Sequence, residues 1–528
     1  MPLVPLAPFK TPRRAAAAQV SDVGILPAPV GGLNYRDPIS AMAPTDALVL
    51  DNFIPKQTGV ELRKGWKYHT EALADPVRSI FTYNAPNPND SKVFAASGGD
   101  IYDVTTDPPT VAQASTGSSN DMWVTTQFSN GADTFLLAVS PGAGYWTYDT
   151  SSGWVQQTVT GLPADPSSVM VWKNRVWFTV DGESNVYYLD TVDAITGNAD
   201  AFEMGSLLRN GGYVRGLINW TLDAGVGIDD YLIMVGSEGD VGVWQGTDPS
   251  DPNKFGLKGV WYVGPVPKYG KFFTNYGGDV MIVSELGVVP VSRLINGQFS
   301  EVQPGPSQKV QSVLSPLISR LRTDMAWDVF VVPSSDVLVI SLPPDGGAYK
   351  QFAMNVNTGS WCTFSNMPIN CGALLNGQLY FGIEDGRVAK GLTGRLDGVE
   401  TDDTDGDPIE GDVQTAFNSF GSPALLKKFG LARPIFISSA PPSVKLQINT
   451  QYTFTNVGGS PSFTQQTGAL WDQSYWNQAF WSGSSSSYQA WVGTTGLGYY
   501  AALRMKVRGE PGTIFTSSNQ MFERGGLM

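Results

Sequence analysis

The chain has 528 residues, 34 of them basic and 48 acidic, for a formal net charge of −14. That balance argues against a nucleic-acid binder that works by neutralising phosphates. Only 16% of residues are charged, below the roughly 25% of ordinary soluble domains, while 59 Gly, 36 Pro, 15 Trp and 20 Tyr take up the difference. Turn-formers mixed with aromatics favour many short strands joined by tight turns, an all-β chain. The length suggests two to four structural units. The acidity has two readings: it aids solubility, or it lets DNA slide past without sticking, since like charges repel.

Residues 1–30 read as an extended, Pro/Ala-rich arm. Its prolines interrupt any apolar core, so it is a poor signal peptide. No run in the chain approaches the ~18 apolar residues of a membrane span, and the protein reads as soluble. In "APTDALVLDNFIP" a short helix is expected, with Thr45 or Asp46 as its cap and Ala47, Leu48, Leu50 and Asn52 running toward Phe53. Pro55 ends it, and "VELRKGW" enters as a strand with Val60 and Leu62 on one face and Glu61 and Arg63 on the other.

From about residue 79 a hairpin unit recurs. Its copies are "SKVFAASGGDIYDV", "DTFLLAVSPGAGYWTYD", "NRVWFTVDGESNVYYLD", "DDYLIMVGSEGDVGVWQ", "GDVMIVSELGVVPVSRL", "SDVLVISLPPDGGAYKQFAMN" and "NGQLYFGIEDGRVAKGL". Each alternates apolar positions around a Gly/Asp/Asn/Ser turn. Equivalent apolar positions, from Val93 to Leu379, step by 41 to 57 residues. That period predicts a β-propeller of six or seven blades over 79–392, with a sandwich array or a solenoid as alternatives. No WD or kelch dipeptide marks the repeats.

One helix signal interrupts them. Val310, Leu314, Leu317, Ile318 and Leu321 recur on one helical face, with Ser307 as the expected N-cap and Pro316 inside. The helix either packs on a blade or meets another subunit. After Leu392 the rhythm changes, and "VQTAFNSF", "ARPIFISSA", "SVKLQINTQYTF", "YQAWVGTTG" and "YYAALRMKVRG" alternate as sandwich strands do. This C-terminal β region, 393–528, is expected to recruit another piece of chain, for which residues 31–78 are the candidate.

Little catalytic chemistry is legible. The single histidine, His69, has no nucleophile elbow near it and reads as structural. "GTTGLG" has the wrong spacing for a phosphate or dinucleotide loop. An acidic loop, "TDDTDGDPIEGD", places Asp403, Asp405 and Asp412 at calcium-loop positions, but its first position is Thr401 and Pro408 sits inside it. A solvated turn is the plainer reading. The two cysteines, Cys362 and Cys371, are too few for a disulfide framework; they read as reduced thiols that can face each other across a strand pair. Trp471, Trp476 and Trp481, followed by Trp491, read as sandwich-core aromatics before they read as a sugar or membrane platform. No cofactor is expected.

The two ends together resemble a known family. "GGLNYRDP", "APTDALVLDNFIP" and "GVELRKGW" near the start, with "TAFNSFGSPALLKKF", "WDQSYWNQAFW" and "FERGGL" toward the end, resemble the tail nozzle proteins, of tail tubular protein B type, of short-tailed bacteriophages. The motif positions are Gly32, Asn34, Asp46, Ala47, Asn52, Arg63, Gly65, Trp471, Trp476 and Trp481. The resemblance implies a non-enzymatic virion protein whose chain ends form one platform domain with the propeller inserted. It implies a homo-hexamer in the tail below the portal and the tail adaptor protein, closing and then opening the channel for double-stranded DNA. It also implies contact with a tail fibre or spike and with the host surface. No long insertion suited to be a gate is visible. A propeller glycan hydrolase or lyase, and a receptor-binding tail protein, are the alternatives.

Overall fold

The computed structural model describes residues 21–131, 133–221, 230–295, 305–400, 405–462 and 485–525. It is nearly all β. The hairpins read from sequence become antiparallel sheets in chain order, beginning with the strands Ser79–Tyr83, Lys92–Ser97, Asp100–Asp103 and Thr110–Gln113. Six separate sheets form blades in this way, and the first four strands of a nine-stranded sheet, Asp328–Val332 to Trp361–Phe364, supply a seventh.

The blades close into a ring. One residue from the inner strand of each, Ile80, Val124, Ser168, Arg215, Phe273, Asp328 and Cys371, lines a single cavity on the axis. From the last blade round to the fifth, neighbouring blades meet in separate apolar cores: Phe81, Phe94 and Trp154 join the first to the second, and Trp172, Trp177 and Leu232 the third to the fourth. The fifth, sixth and last blades instead share one core through Met281, Phe352 and Phe381. Ile80 and Val93 meet Ala373 and Leu375 of the last blade. Every such side chain withdrawn from water contributes about 1.5–3 kcal/mol. The turns have the expected chemistry: Asn376 and Gly377 both hold positive φ, 52° and 77°, between the strands Cys371–Leu375 and Gln378–Gly382.

Both chain ends enter this ring. The strand Trp66–Tyr68 pairs with Val388–Gly391 and so becomes the fourth strand of the last blade, with Leu396–Val399 and Asp407–Pro408 continuing the sheet beyond it. The strand Asp46–Asp51 lies between Trp361–Phe364 and Glu410–Thr415, so the sixth blade continues through it into Ala501–Arg508 and Ser443–Thr450. A second sheet packs on this extension. Its long strands Lys427–Ser438 and Ile514–Arg524 pair with each other, and Ser21–Pro27 and Val60–Leu62 add to the far side of Ile514–Arg524. Phe429, Phe436, Phe515 and Phe522 of the second sheet share one core with Val413, Leu503 and Met505 and with Phe352 of the sixth blade. The platform is therefore built from both ends and is continuous with the propeller.

Several sequence expectations need correction. The expected helix around Ala47 is the strand Asp46–Asp51. An isolated turn of helix is marginal, whereas here a strand finds ladder partners on both sides. Asp46 caps nothing; its carboxylate accepts from Asn34 and Lys309, both at 2.7 Å. The later helix does form, over Gln311–Leu321 with Pro316 inside it, but its N-cap is Val310. Ser307 instead accepts the backbone N–H of Val288 at 2.9 Å. Of the expected arm, residues 1–20 lie outside the described residues and 21–27 form an edge strand. Cys362 and Cys371 do not face each other: Cys362 pairs with Ala353 and Cys371 with Gly382, and both thiols are free and buried.

Candidate functional site

The N-terminal motif residues assemble into two buried clusters at the joint between propeller and platform. In the first, Gly32 sits at φ +73° with its Cα so close to Trp361 that a Cβ would fall 2.6 Å from that residue's backbone N and O. Its neighbour Asn34 is fully buried and donates to Asp37 and Asp46, while its Oδ1 accepts the N–H groups of Arg36 and Asp37. Ala47 pairs with both Leu33 and Thr415. Lys309, just ahead of the helix, closes the cluster on Asp46 and on the carbonyl of Gly31.

The second cluster is centred on Arg63, whose side chain is 0% exposed. All five of its N–H donors are used. Two go to Asp397, at 2.8 and 2.7 Å; the others go to Asn52 Oδ1 and to the carbonyls of Lys64 and Ser365. Asn52 takes positive φ, 57°, and spends its amide on Ser365 Oγ and the carbonyl of Glu410. Asp51 accepts from the hydroxyls of Thr363 and Ser365. Gly65 lets the chain pass the C-terminal segment, since a Cβ there would lie 1.9 Å from the carbonyl oxygen of Leu396. One hydrogen-bonded knot thus holds the N-terminal segment, the sixth blade and the C-terminal segment. Burial pushes the Asp397 carboxyl up and the Arg63 charge opposes that shift. Asp397, Ser365 and Lys309 carry no sequence signal of this role, because their partners lie hundreds of residues away.

The calcium reading finds no support in the geometry. Asp403 lies outside the described residues, and Asp405 accepts the N–H of Glu400. Asp412 is on a platform strand and pairs with Arg504 at 2.6 Å. Among the described residues no group of three or more His, Cys, Asp and Glu is gathered for a metal ion. Trp471, Trp476 and Trp481 lie outside the described residues, whereas Trp491 is exposed, with the Arg433 guanidinium 4.8 Å from its ring.

Trp491 belongs to a larger feature. Along Lys427–Ser438 burial alternates, with Phe429, Ala432, Pro434 and Phe436 inward and Leu431, Arg433, Ile435 and Ile437 outward. The outward face carries Ile25 at 66% exposure and Val23 at 54% on one edge, and Leu497 at 60% on the other. Between these apolar edges the face also carries Lys428, Arg433, Asn519 and Glu523. The axial cavity is the other notable site, at about 380 Å³. Four cations line it, Arg78, Arg215, Lys268 and Lys271, with the carboxylates of Asp181 and Asp328.

No family model matches the chain, and no curated protein matches it. Among solved structures it is similar to the crystal structure of the computationally designed Ika8 protein, at TM-score 0.36 and 11% identity over 62% of this chain and 99% of that one. It is also similar to the WD40 β-propeller domain of Doa1, at TM-score 0.39 and 10% identity over 62% of this chain and 96% of that one. The propeller assignment stands on the closed ring of sheets and their shared cores.

Proposed function

We propose that this chain is a non-enzymatic virion protein, a subunit of the tail nozzle of a short-tailed phage. Six copies form a ring below the portal and adaptor, close the DNA-ejection channel, and support tail fibres or spikes. The observation that carries the reading is the pair of apolar edges on the platform's outward face, Val23 and Ile25 on Ser21–Pro27 and Leu497 on Val492–Gly498. Two different edges that meet copy to copy make a head-to-tail contact, the kind that closes into a ring. The joint between platform and propeller supports it further. A sheet that runs from a blade into the platform transmits load without a hinge, as a conduit wall requires. The net charge of −14 suits a surface past which DNA moves, because an excess of lysine there would hold the duplex through counterion release.

The test is a reconstruction of intact tails by electron cryomicroscopy, together with native mass spectrometry of Ile25→Asp and Leu497→Asp. An axial ring that both substitutions prevent from forming supports the reading. A position confined to fibre tips, or rings that form equally well with either substitution, overturns it.

A further inference from the structure

The axial cavity holds a charge arrangement that nozzle assembly does not explain. Arg215 sits at a β-bulge of its inner strand, where the pairing with the neighbouring strand shifts between Val214 and Gly216. Bulges re-aim side chains, and this one places the guanidinium in the cavity wall. Arg215 is 7% exposed, donates from Nε to the Pro267 carbonyl at 3.0 Å and from Nη2 to the Gly270 carbonyl at 2.7 Å, and lies 5.1 Å from the centre of the Phe272 ring. Among the described residues Nη1 has no protein acceptor and no carboxylate is within ion-pair distance of Arg215, although Asp181 acts on its charge from across the cavity. A buried guanidinium normally has a paired anion, because removing an isolated charge from water is costly.

Lys268 lines the same cavity; its side chain hydrogen-bonds Tyr269, and its ammonium lies 5.1 Å from that ring's centre. It has no ion pair among the described residues, Asp181 being the carboxylate that acts on it from across the cavity. The other two cations are already engaged: Arg78 makes a bidentate pair with Glu384, and Lys271 donates to the Gly372 carbonyl with Asp328 at 3.9 Å. Asp328 itself accepts two backbone N–H groups. Arg215 and Lys268 therefore remain beside the apolar wall made by Phe272 and Trp327, with Asp181 as the one carboxylate left between them, an excess of one positive charge. The volume, about 380 Å³, falls at the lower end of the range for small-molecule pockets.

We propose that this cavity binds a small organic oxyanion. Arg215 and Lys268 hold its carboxylate or phosphate, and Phe272 and Trp327 pack against its body. Charge-assisted bonds to guanidinium and ammonium set the orientation, and the aromatic wall selects an apolar or aromatic body.

The full chain, titrated at constant ionic strength with benzoate, phenyl phosphate and neutral benzamide, tests this. Trp123 and Trp327 line the cavity and report occupancy through their fluorescence. At least one of the two anions is expected to give a saturable change, with benzamide at least about tenfold weaker. Lys268→Glu should weaken the anion by about tenfold or more, leaving the melting temperature unchanged. The outlying Lys350→Glu should titrate as the unaltered protein does. Arg215→Met removes a buried group with two carbonyl partners and risks misfolding, so Lys268→Glu decides. The proposal falls if benzamide binds as well as the anions, if neither anion gives a saturable change by about 20 mM, or if Lys268→Glu titrates normally. None of these outcomes bears on tail location, so the nozzle reading stands or falls separately.

Discussion

Replacing Arg63 by Met should loosen the joint between propeller and platform more than any other single change of similar size. Its side chain is 0% exposed and that of Asp397 is 6% exposed, so the substitution strands a buried carboxylate. Breaking a buried pair in this way costs about 3–5 kcal/mol. The carbonyls of Lys64 and Ser365 and Asn52 Oδ1 also lose a donor, which brings the total to about 5 kcal/mol or somewhat more. Asp397→Asn keeps the shape and four of the five Arg63 bonds but removes the counter-charge and turns an amide N–H toward the guanidinium, and should cost about 3 kcal/mol. The double substitution Arg63→Met with Asp397→Leu removes both charges together and should cost only about 2 kcal/mol, a strongly non-additive cycle. Denaturant titration measures each variant through the summed tryptophan fluorescence, to which Trp66 contributes from beside the knot, its indole N–H donating to the Asn366 carbonyl. Calorimetry should show the platform and propeller melting apart in Arg63→Met, where the unaltered chain melts as one. A loss under about 1 kcal/mol for Arg63→Met, or additivity in the cycle, would refute the account of the knot.

His69 is half-buried, with Nε2 3.0 Å from the Val104 carbonyl; burial and the nearby Lys390 hold its pKa below the ordinary 6.5. The unfolded chain takes up this proton first, so stability should fall as pH drops below about 6.5. His69→Gln, which keeps a donor for the carbonyl, should remove that part of the slope; an unchanged slope in equilibrium unfolding rejects the assignment. Gly65→Ala places a Cβ 1.9 Å from the Leu396 carbonyl and should cost about 3 kcal/mol or leave the chain insoluble; a normal melting temperature would contradict the close approach. Burial drives the Cys371 thiol up to about 12 and the Cys362 thiol well above its ordinary value. Both should resist a thiol reagent near pH 8 until the chain unfolds, and rapid labelling of the native protein would count against their packing.

The parts legible in sequence were those that local chemistry determines. The hairpin at Asn376 and Gly377 could be read because both turn residues tolerate positive φ and the flanking apolar positions alternate. The strand of Val60 and Leu62 was readable for the same reason, and both side chains are fully buried. Asp46–Asp51 was misread because its cap-like residues favour a turn of helix locally, while its partners at 361–364 and 410–415 decide otherwise. The strand Ile514–Arg524, the spine of the outer sheet, escaped notice because Ser517, Ser518 and Asn519 dilute its apolar signal. Asp397 as the counter-ion of Arg63 had no local mark. The outward platform face likewise appears only once 21–27, 427–438 and 492–498 are brought side by side.

The placing of Trp66–Tyr68 and Asp46–Asp51 as strands among late-arriving neighbours also orders events during synthesis. Asn52 leaves the ribosome 313 residues before Ser365, the side chain it grips. At about 5–20 residues per second, that is a wait of roughly 15–60 s. Throughout it the early strands have unpaired ladder edges, an invitation to wrong partners. The outer sheet waits longer still, because Ser21–Pro27 has no neighbour until Ile514–Arg524 is made. A chain cut short anywhere before that point leaves the outward face unbuilt. If that face joins copies into a ring, the ring inspects its own recruits and rejects truncated chains for want of a surface to dock.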